Sequence, residues 1–152
     1  MNPDIRVSAV RDRFGKDNAE GISRSYDIIV DASDNIETRY FCNDFCVSQG
    51  KTLIHGSIGE FNGNIMTIVP GSACLRCVFP EAVMLKKSSD SGVVGAVPGI
   101  VGSIQAAEVI QVIVGAGEPL VNKLLTFNIL TMDFMTIDVL KNPNCHCSKQ
   151  WF

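Results

Sequence analysis

Two short cysteine pairs, separated by sixty-seven residues, constrain this chain more than any other feature of it. Cys74 and Cys77 form a C-x-x-C in SACLRCVFP, and Cys145 and Cys147 form a C-x-C in NPNCHCSKQ. Two thiolate pairs are the donor set of a tetrahedral zinc, with sulfur at about 2.3 Å from the metal. A chain that brings them together must fold its tail back onto a loop near its middle. Four protein ligands would leave no position open for water, so such a zinc would be structural. His146 could stand in for one thiolate. The alternative is two unrelated pairs of reduced thiols. A redox C-x-x-C fits less well, because the motif does not open a helix in a thioredoxin-like setting. Cys42 and Cys46, in CNDFC, read as packing residues of a helix.

The remaining composition is that of a globular chain of one-domain size, with 152 residues, 46% hydrophobic and 19% charged. A formal charge of -3 offers no attraction to nucleic acid or to an anionic membrane. The N-terminal MNPDIRVSAVRDRFGK lacks the apolar core of a signal peptide. The longest apolar stretch, Ile100 to Val114, is interrupted by Ser103, Gln105, Glu108 and Gln111. It reads as a buried helix and not a membrane span. The expected compartment is the cytoplasm, where six cysteines argue for metal or redox chemistry before disulfides.

Arg6 to Val10 is short and strand-like, and the polar residues after it read as a loop or weak helix. Tyr26 to Val30 (YDIIV) suits a buried strand of a parallel sheet. A helix from about Ile36 to Ser48 should follow, with Ile36, Tyr40, Phe41 and Phe45 on one face and Gly50 ending it. Thr52 to Ile58 predicts a strand, Asn62-Gly63 a turn, and Asn64 to Val69 a returning strand. Pro70 to Gly99 is irregular, as functional segments often are. Gly99 to Val114 predicts a helix with Ile100, Ile104, Ala107, Ile110 and Val114 on one side. Lys123 to Ile129 and Phe134 to Val139 read as a closing antiparallel pair. The order β-α-β-β-loop-α-β-β implies a mixed α/β sheet.

Between the first strand and helix lies Asp31-Ala32-Ser33-Asp34-Asn35. Ligands of open α/β sheets bind at the carboxyl ends of strands. A carboxylate at Asp34 could hold Mg²⁺ against a nucleotide phosphate there. The competing reading is that Asp34 or Ser33 merely caps the helix.

Several segments taken in order resemble the ThiF/MoeB/HesA family, relatives of the ubiquitin-activating enzymes. They are NPDIRV at the start, YDIIVDASDNIETR, GSIGEFNGNIMTIVPGSACLRCVFP, GVVGAVPGIVGSIQAAEVIQ and the NPNCHC tail. The resemblance runs from Asn2 to Cys147. It implies the mixed-sheet C-terminal half of a Rossmann-like fold, a single half-domain over residues 1–152, with the nucleotide-binding half absent. It implies ATP-dependent adenylation of the C-terminal carboxylate of a ubiquitin-like or sulfur-carrier protein. By that resemblance Asp34 is the Mg²⁺/ATP aspartate, Asn35 its neighbour at the nucleotide site, and Cys74, Cys77, Cys145 and Cys147 the zinc ligands. A homodimer, or association with a nucleotide-binding half, would follow, and Tyr26 to Val30 or its neighbour would form an exposed sheet edge.

The departures from the family pattern are specific. No GxGxxG-like stretch occurs in the chain. The family's ribose-binding acid and phosphate-binding Arg and Lys also belong to the first half of its fold. Ser88 stands about where many members carry a cysteine for thioester or persulfide chemistry. The second cysteine pair is one residue shorter than the usual C-x-x-C, which leaves Cys147 and His146 as alternative fourth ligands. Alone, the chain is expected to bind ATP weakly or not at all. The second reading is a non-catalytic, zinc-stapled module that docks a ubiquitin-like or enzyme partner, and the third a fragment with only structural capacity.

Overall fold

The computed structural model describes residues 2–80, 92–145 and 147. A short helix α1 (Ala19–Ser23) leads into β1 (Ile28–Asp31), α2 (Ile36–Gln49), β2 (Thr52–Ile58) and β3 (Asn62–Ile68). A one-turn helix α3 (Leu75–Val78) precedes the long helix α4 (Ala96–Val114), and β4 (Lys123–Asn128) and β5 (Asp133–Asp138) close the chain. The strands form a mixed sheet in the order β1-β2-β3-β4-β5. β1 and β2 run parallel across α2, and each later neighbour pairs antiparallel. The mixed α/β class is the one expected from the sequence, and the expected order recurs with two short helices added, α1 before β1 and α3 in the loop.

Strand alternation divides the core between the two faces. Met66 packs with Leu53, Cys42 and Cys46 under α2, while its neighbour Ile65 packs with Val97 and Val101 under α4. Leu53, Ile65 and Met66 are fully buried, and each such side chain contributes roughly 1.5–3 kcal/mol. Gly50, at φ 62°, ends α2 in the left-handed conformation that glycine adopts without steric cost.

Four expectations need correction. Arg6 to Val10 is exposed and forms no strand, because no ladder partner lies beside it among the described residues. The turn after β2 falls at residues 59–61, closed by the Gly59 N–H donating to the Asn62 carbonyl at 2.7 Å, and Asn62-Gly63 opens β3 instead. Gly63 is required there by space, since a Cβ would lie 2.6 Å from Phe127 and Val101. In α2 the buried residues are Tyr40, Cys42, Asn43 and Cys46; Phe41 and Phe45 sit half-buried and meet Phe14 edge-on. In α4 the buried residues are Val97, Val101, Gln105 and Glu108, and the expected apolar residues Ile110 and Val114 are exposed. α4 is long and apolar enough to cross a bilayer by length and composition. Its buried side carries the two polar groups Gln105 and Glu108 instead, and both bond to the sheet side of the fold.

Candidate functional site

Two centres stand out, one at the carboxyl end of β1 and one where the tail meets the loop after β3. At the first, the chain leaves the sheet at Asp31 and turns through Ala32-Ser33-Asp34 into α2. The turn is built by Asp31, whose Oδ1 accepts hydrogen bonds from the Ser33 N–H at 3.0 Å and the Ser33 hydroxyl at 2.6 Å. Asn35 is the helix cap, its Oδ1 accepting from the Thr38 N–H at 2.8 Å. Neither Asp34 nor Ser33 caps. Asp34 is exposed and, among the described residues, is bonded only by the Asn35 amide at 3.2 Å. It lines a cleft of about 170 Å³ with Arg39, Gly56, Ser57, Pro98 and Gln105.

Beneath the turn is a polar cluster with almost no contact with solvent. His55, across the ladder from Asp31, is bonded through Nδ1 to Asp31 Oδ2 at 3.0 Å. Arg39 approaches the same oxygen at 3.6 Å and donates from Nη2 to the Ser33 carbonyl at 2.7 Å. Gln105 reaches over from α4, and its amide donates to the carbonyls of Asp31 and Ile54 at 2.9 and 3.1 Å. Gly56 makes room for it: a Cβ there would lie 2.5 Å from the Gln105 amide. Burial alone would raise the Asp31 carboxyl, but hydrogen bonds from His55 and Ser33 outweigh it and hold the group below its ordinary value. Burial holds the His55 imidazole low, against the opposing pull of Asp31. Sequence reasoning passed over Asp31, Arg39, His55 and Gln105. The available signal was a polar residue breaking an apolar run, as His55 does in TLIHGSI and Gln105 does in α4.

The second centre gathers the four cysteines. The Sγ atoms of Cys74, Cys77, Cys145 and Cys147 all lie within 4.8 Å of one another. Cys74 and Cys77 are 4.0 Å apart, Cys74 and Cys145 3.6 Å, and Cys77 and Cys147 3.5 Å. A tetrahedron with about 2.3 Å metal–sulfur bonds has edges of about 3.8 Å, so the donor set matches zinc in type and spacing. The loop is held from two sides. Asn122, at φ 57°, accepts the Ala73 N–H at 2.8 Å, and Asn43 of α2 accepts the Leu75 N–H at 2.9 Å. Arg76 makes a two-pronged bond to Asp44, at 2.7 Å for each nitrogen, and stacks over Tyr40. The Asn142 N–H points at Cys77 Sγ at 3.5 Å, the kind of second-layer bond that tunes a metal ligand. His146 and Ser88 lie outside the described residues. Cys42 and Cys46 are not among the four, although they pack in the same core as Cys74 and Cys145, and burial pushes their thiols up to about 11 and about 12. They remain protonated packing groups, as expected.

A third feature is the outer side of β1. It is an edge strand of the described sheet, with Tyr26 and Val30 about half exposed, and cavities of about 340 and 620 Å³ open beside it.

A mixed α/β sheet with an acidic turn at the end of its parallel strand, together with a four-cysteine cluster, defines a class of α/β proteins with a metal-competent staple. Within that class the chain belongs to the ThiF family, which it matches over residues 1–149. It is 40% identical over 148 residues to the SAMP-activating enzyme E1 of Haloferax volcanii, covering 95% of this chain and 55% of that protein. It is 39% identical over 154 residues to the sulfur carrier protein adenylyltransferase of Thermus thermophilus, covering 95% and 57%. The fold is similar to that of E. coli MccB in its crystal structure with ATP, with a TM-score of 0.79 over 96% of this chain and 46% of the other, at 20% identity. The chain thus spans about half the length of these relatives.

Proposed function

We propose that this chain supplies the C-terminal half of an adenylyltransferase that uses ATP to activate the C-terminal carboxylate of a ubiquitin-like or sulfur-carrier protein. The carboxylate attacks the α-phosphorus, a new C–O–P linkage forms, and pyrophosphate leaves with the electrons of the broken P–O bond. The observation that carries the reading is the state of Asp34: Asn35 caps the helix, and Asp34 stands exposed at the cleft beyond the strand end. In this reading Asp34 holds Mg²⁺, which when bound offsets charge on the phosphates. Asn35 fixes the start of α2 beside the nucleotide. Cys74, Cys77, Cys145 and Cys147 hold a structural zinc that staples the tail to the loop after β3. The two relatives described above, named for activating a SAMP and for adenylating a sulfur carrier protein, support the substrate class. The reaction would take place in the cytoplasm, where such thiols stay reduced.

The phosphates would be cradled by a nucleotide-binding half that packs on the free side of β1. An exposed strand edge with apolar flanks is a template for such pairing, and self-association through the same side is the alternative. Supplying the nucleotide-binding half of a relative in trans should produce ATP–pyrophosphate exchange. Asp34→Ala should abolish that exchange, by at least about 100-fold, while leaving assembly and metal content unchanged. If no such half binds and the chain stays monomeric at high concentration, the reading gives way to a non-catalytic, zinc-stapled docking module.

A further inference from the structure

Asp34 has no strong bond of its own, yet the proposed chemistry needs its carboxylate fixed to within a fraction of an ångström. Among the described residues its only hydrogen bond is the 3.2 Å contact from the neighbouring Asn35 side chain. The backbone on either side must therefore fix it. On the C-terminal side the Asn35 cap does so. On the N-terminal side the carbonyl of Ser33 belongs to the peptide unit that leads into Asp34, and one side chain holds that carbonyl: Arg39, at 2.7 Å. Arg39 sits one turn into α2, so it ties the helix back onto the turn that starts it. Its Nε faces Asp31 Oδ2 at 3.6 Å, an ion pair longer than a hydrogen bond, and Asp31 is bonded by His55. The Arg39 side chain is 13% exposed and that of Asp31 1%. A planar guanidinium bonded to the Ser33 carbonyl and paired in charge with Asp31 presents its donors in one geometry.

We propose that Arg39 is a positioning residue: by bonding the Ser33 carbonyl it holds the Asp34 carboxylate at the cleft. Arg39 acts through the backbone of the turn and not by touching the phosphates, since its Nη2 is committed to Ser33 and its Nε faces Asp31. This rests on the reading of Asp34 given above.

Two measurements separate the fate of the two ideas. The first needs no activity. In the 152-residue chain, Arg39→Ala should speed hydrogen exchange of the Ser33 amide, which Asp31 otherwise protects, by at least about tenfold, while the Leu53 and Ile54 amides in β2 keep their protection. No change at Ser33, or an equal change in β2, would overturn the inference even if the adenylation reading stands. The second uses the chain paired with a nucleotide-binding half. There Arg39→Ala should raise the Mg²⁺ concentration for half-maximal exchange by roughly 10–100-fold, the usual cost of losing a group that orients a metal ligand, with Arg39→Lys recovering part of it. A fall in maximal rate with unchanged Mg²⁺ dependence would mean a merely structural role. A rise in the KM for ATP alone would mean direct phosphate contact. Either result overturns the inference. Absence of exchange in the unaltered pair would count against the adenylation reading, and the Ser33 amide would still decide the role of Arg39.

Discussion

The acidic turn and the cysteine cluster are made by opposite routes. The turn is local: Asp31, Ser33, Asp34, Asn35 and Arg39 lie within nine residues, and most of its bonds run between them. The cluster is remote: Cys74 and Cys145 meet at 3.6 Å across seventy-one positions of sequence. The local motif is held mostly by short-range bonds, to which the rest of the fold adds burial and the contacts of His55 and Gln105 with Asp31. A remote one must hold a closed loop of chain, whose entropy short hydrogen bonds do not offset; a metal binding only the folded state would supply that missing free energy. α2 connects the two. Its first turn carries Asn35 and Arg39, and further along it Tyr40, Asn43 and Asp44 hold the cysteine loop.

The largest effect should come from breaking the remote centre. Cys74→Ser or Cys77→Ser should release metal and cost on the order of 4 kcal/mol, because structural zinc contributes folding free energy outright. At this chain length that is a fall in Tm of about 12 °C. Unfolding scans with metal analysis check this, and a chelated, metal-free chain of undiminished Tm would remove the distinction between the two centres.

A smaller effect should come from wedging the local centre. Gly56→Ala places a methyl 2.5 Å from the Gln105 amide, and overpacking of this kind costs roughly 1–3 kcal/mol. Because Gln105 then loses its bonds to Asp31 and Ile54, urea melts should report destabilisation while metal content stays that of the unaltered chain. Loss of metal in this variant would show that the two centres are coupled more tightly than their geometry implies.

The smallest effect is a matter of one proton. His55 is held below its ordinary 6.5 chiefly by burial, so below that pH the unfolded chain binds a proton that the folded chain resists. Its stability contribution is complete above about 6.5 and declines as the pH falls toward its folded value. Asp31, held below its ordinary 3.8, contributes in the same direction but only in stronger acid. Urea midpoints at pH 7.5 and 5.5 should therefore differ, and His55→Gln should flatten the difference. A midpoint that is level over this range would show the His55 contribution to be absent.

The strands and α2 were legible because their apolar runs are short, bounded and matched to the period of their structure. Thr52–Ile58 and the helix from Ile36 are where the pattern puts them. α4 was legible as a helix but not as a face. It is apolar nearly all round, so periodicity carries little information about which side is buried. The fold selects the side bearing Gln105 and Glu108, because the sheet end offers the carbonyls of Asp31 and Ile54, and Thr67 and the Leu120 N–H reach Glu108. Ile110 and Val114 lie beyond that contact and stay exposed. The Asp34 turn was visible as a run of capping residues, but which one caps depends on backbone geometry: Asn35 has the extended φ and ψ of a cap.

The sequence by itself determined the α/β order of elements, the family, and the residue types able to bind a metal and to occupy a strand end, because these are properties of local pattern and donor chemistry. Only the tertiary structure decided that the two cysteine pairs meet, that Asn35 and not Asp34 caps the helix, and that Arg39, His55 and Gln105 converge beneath it. These are contacts between segments tens of residues apart in sequence or choices among neighbouring side chains, and they are fixed by where buried polar groups find partners, which no window of sequence contains.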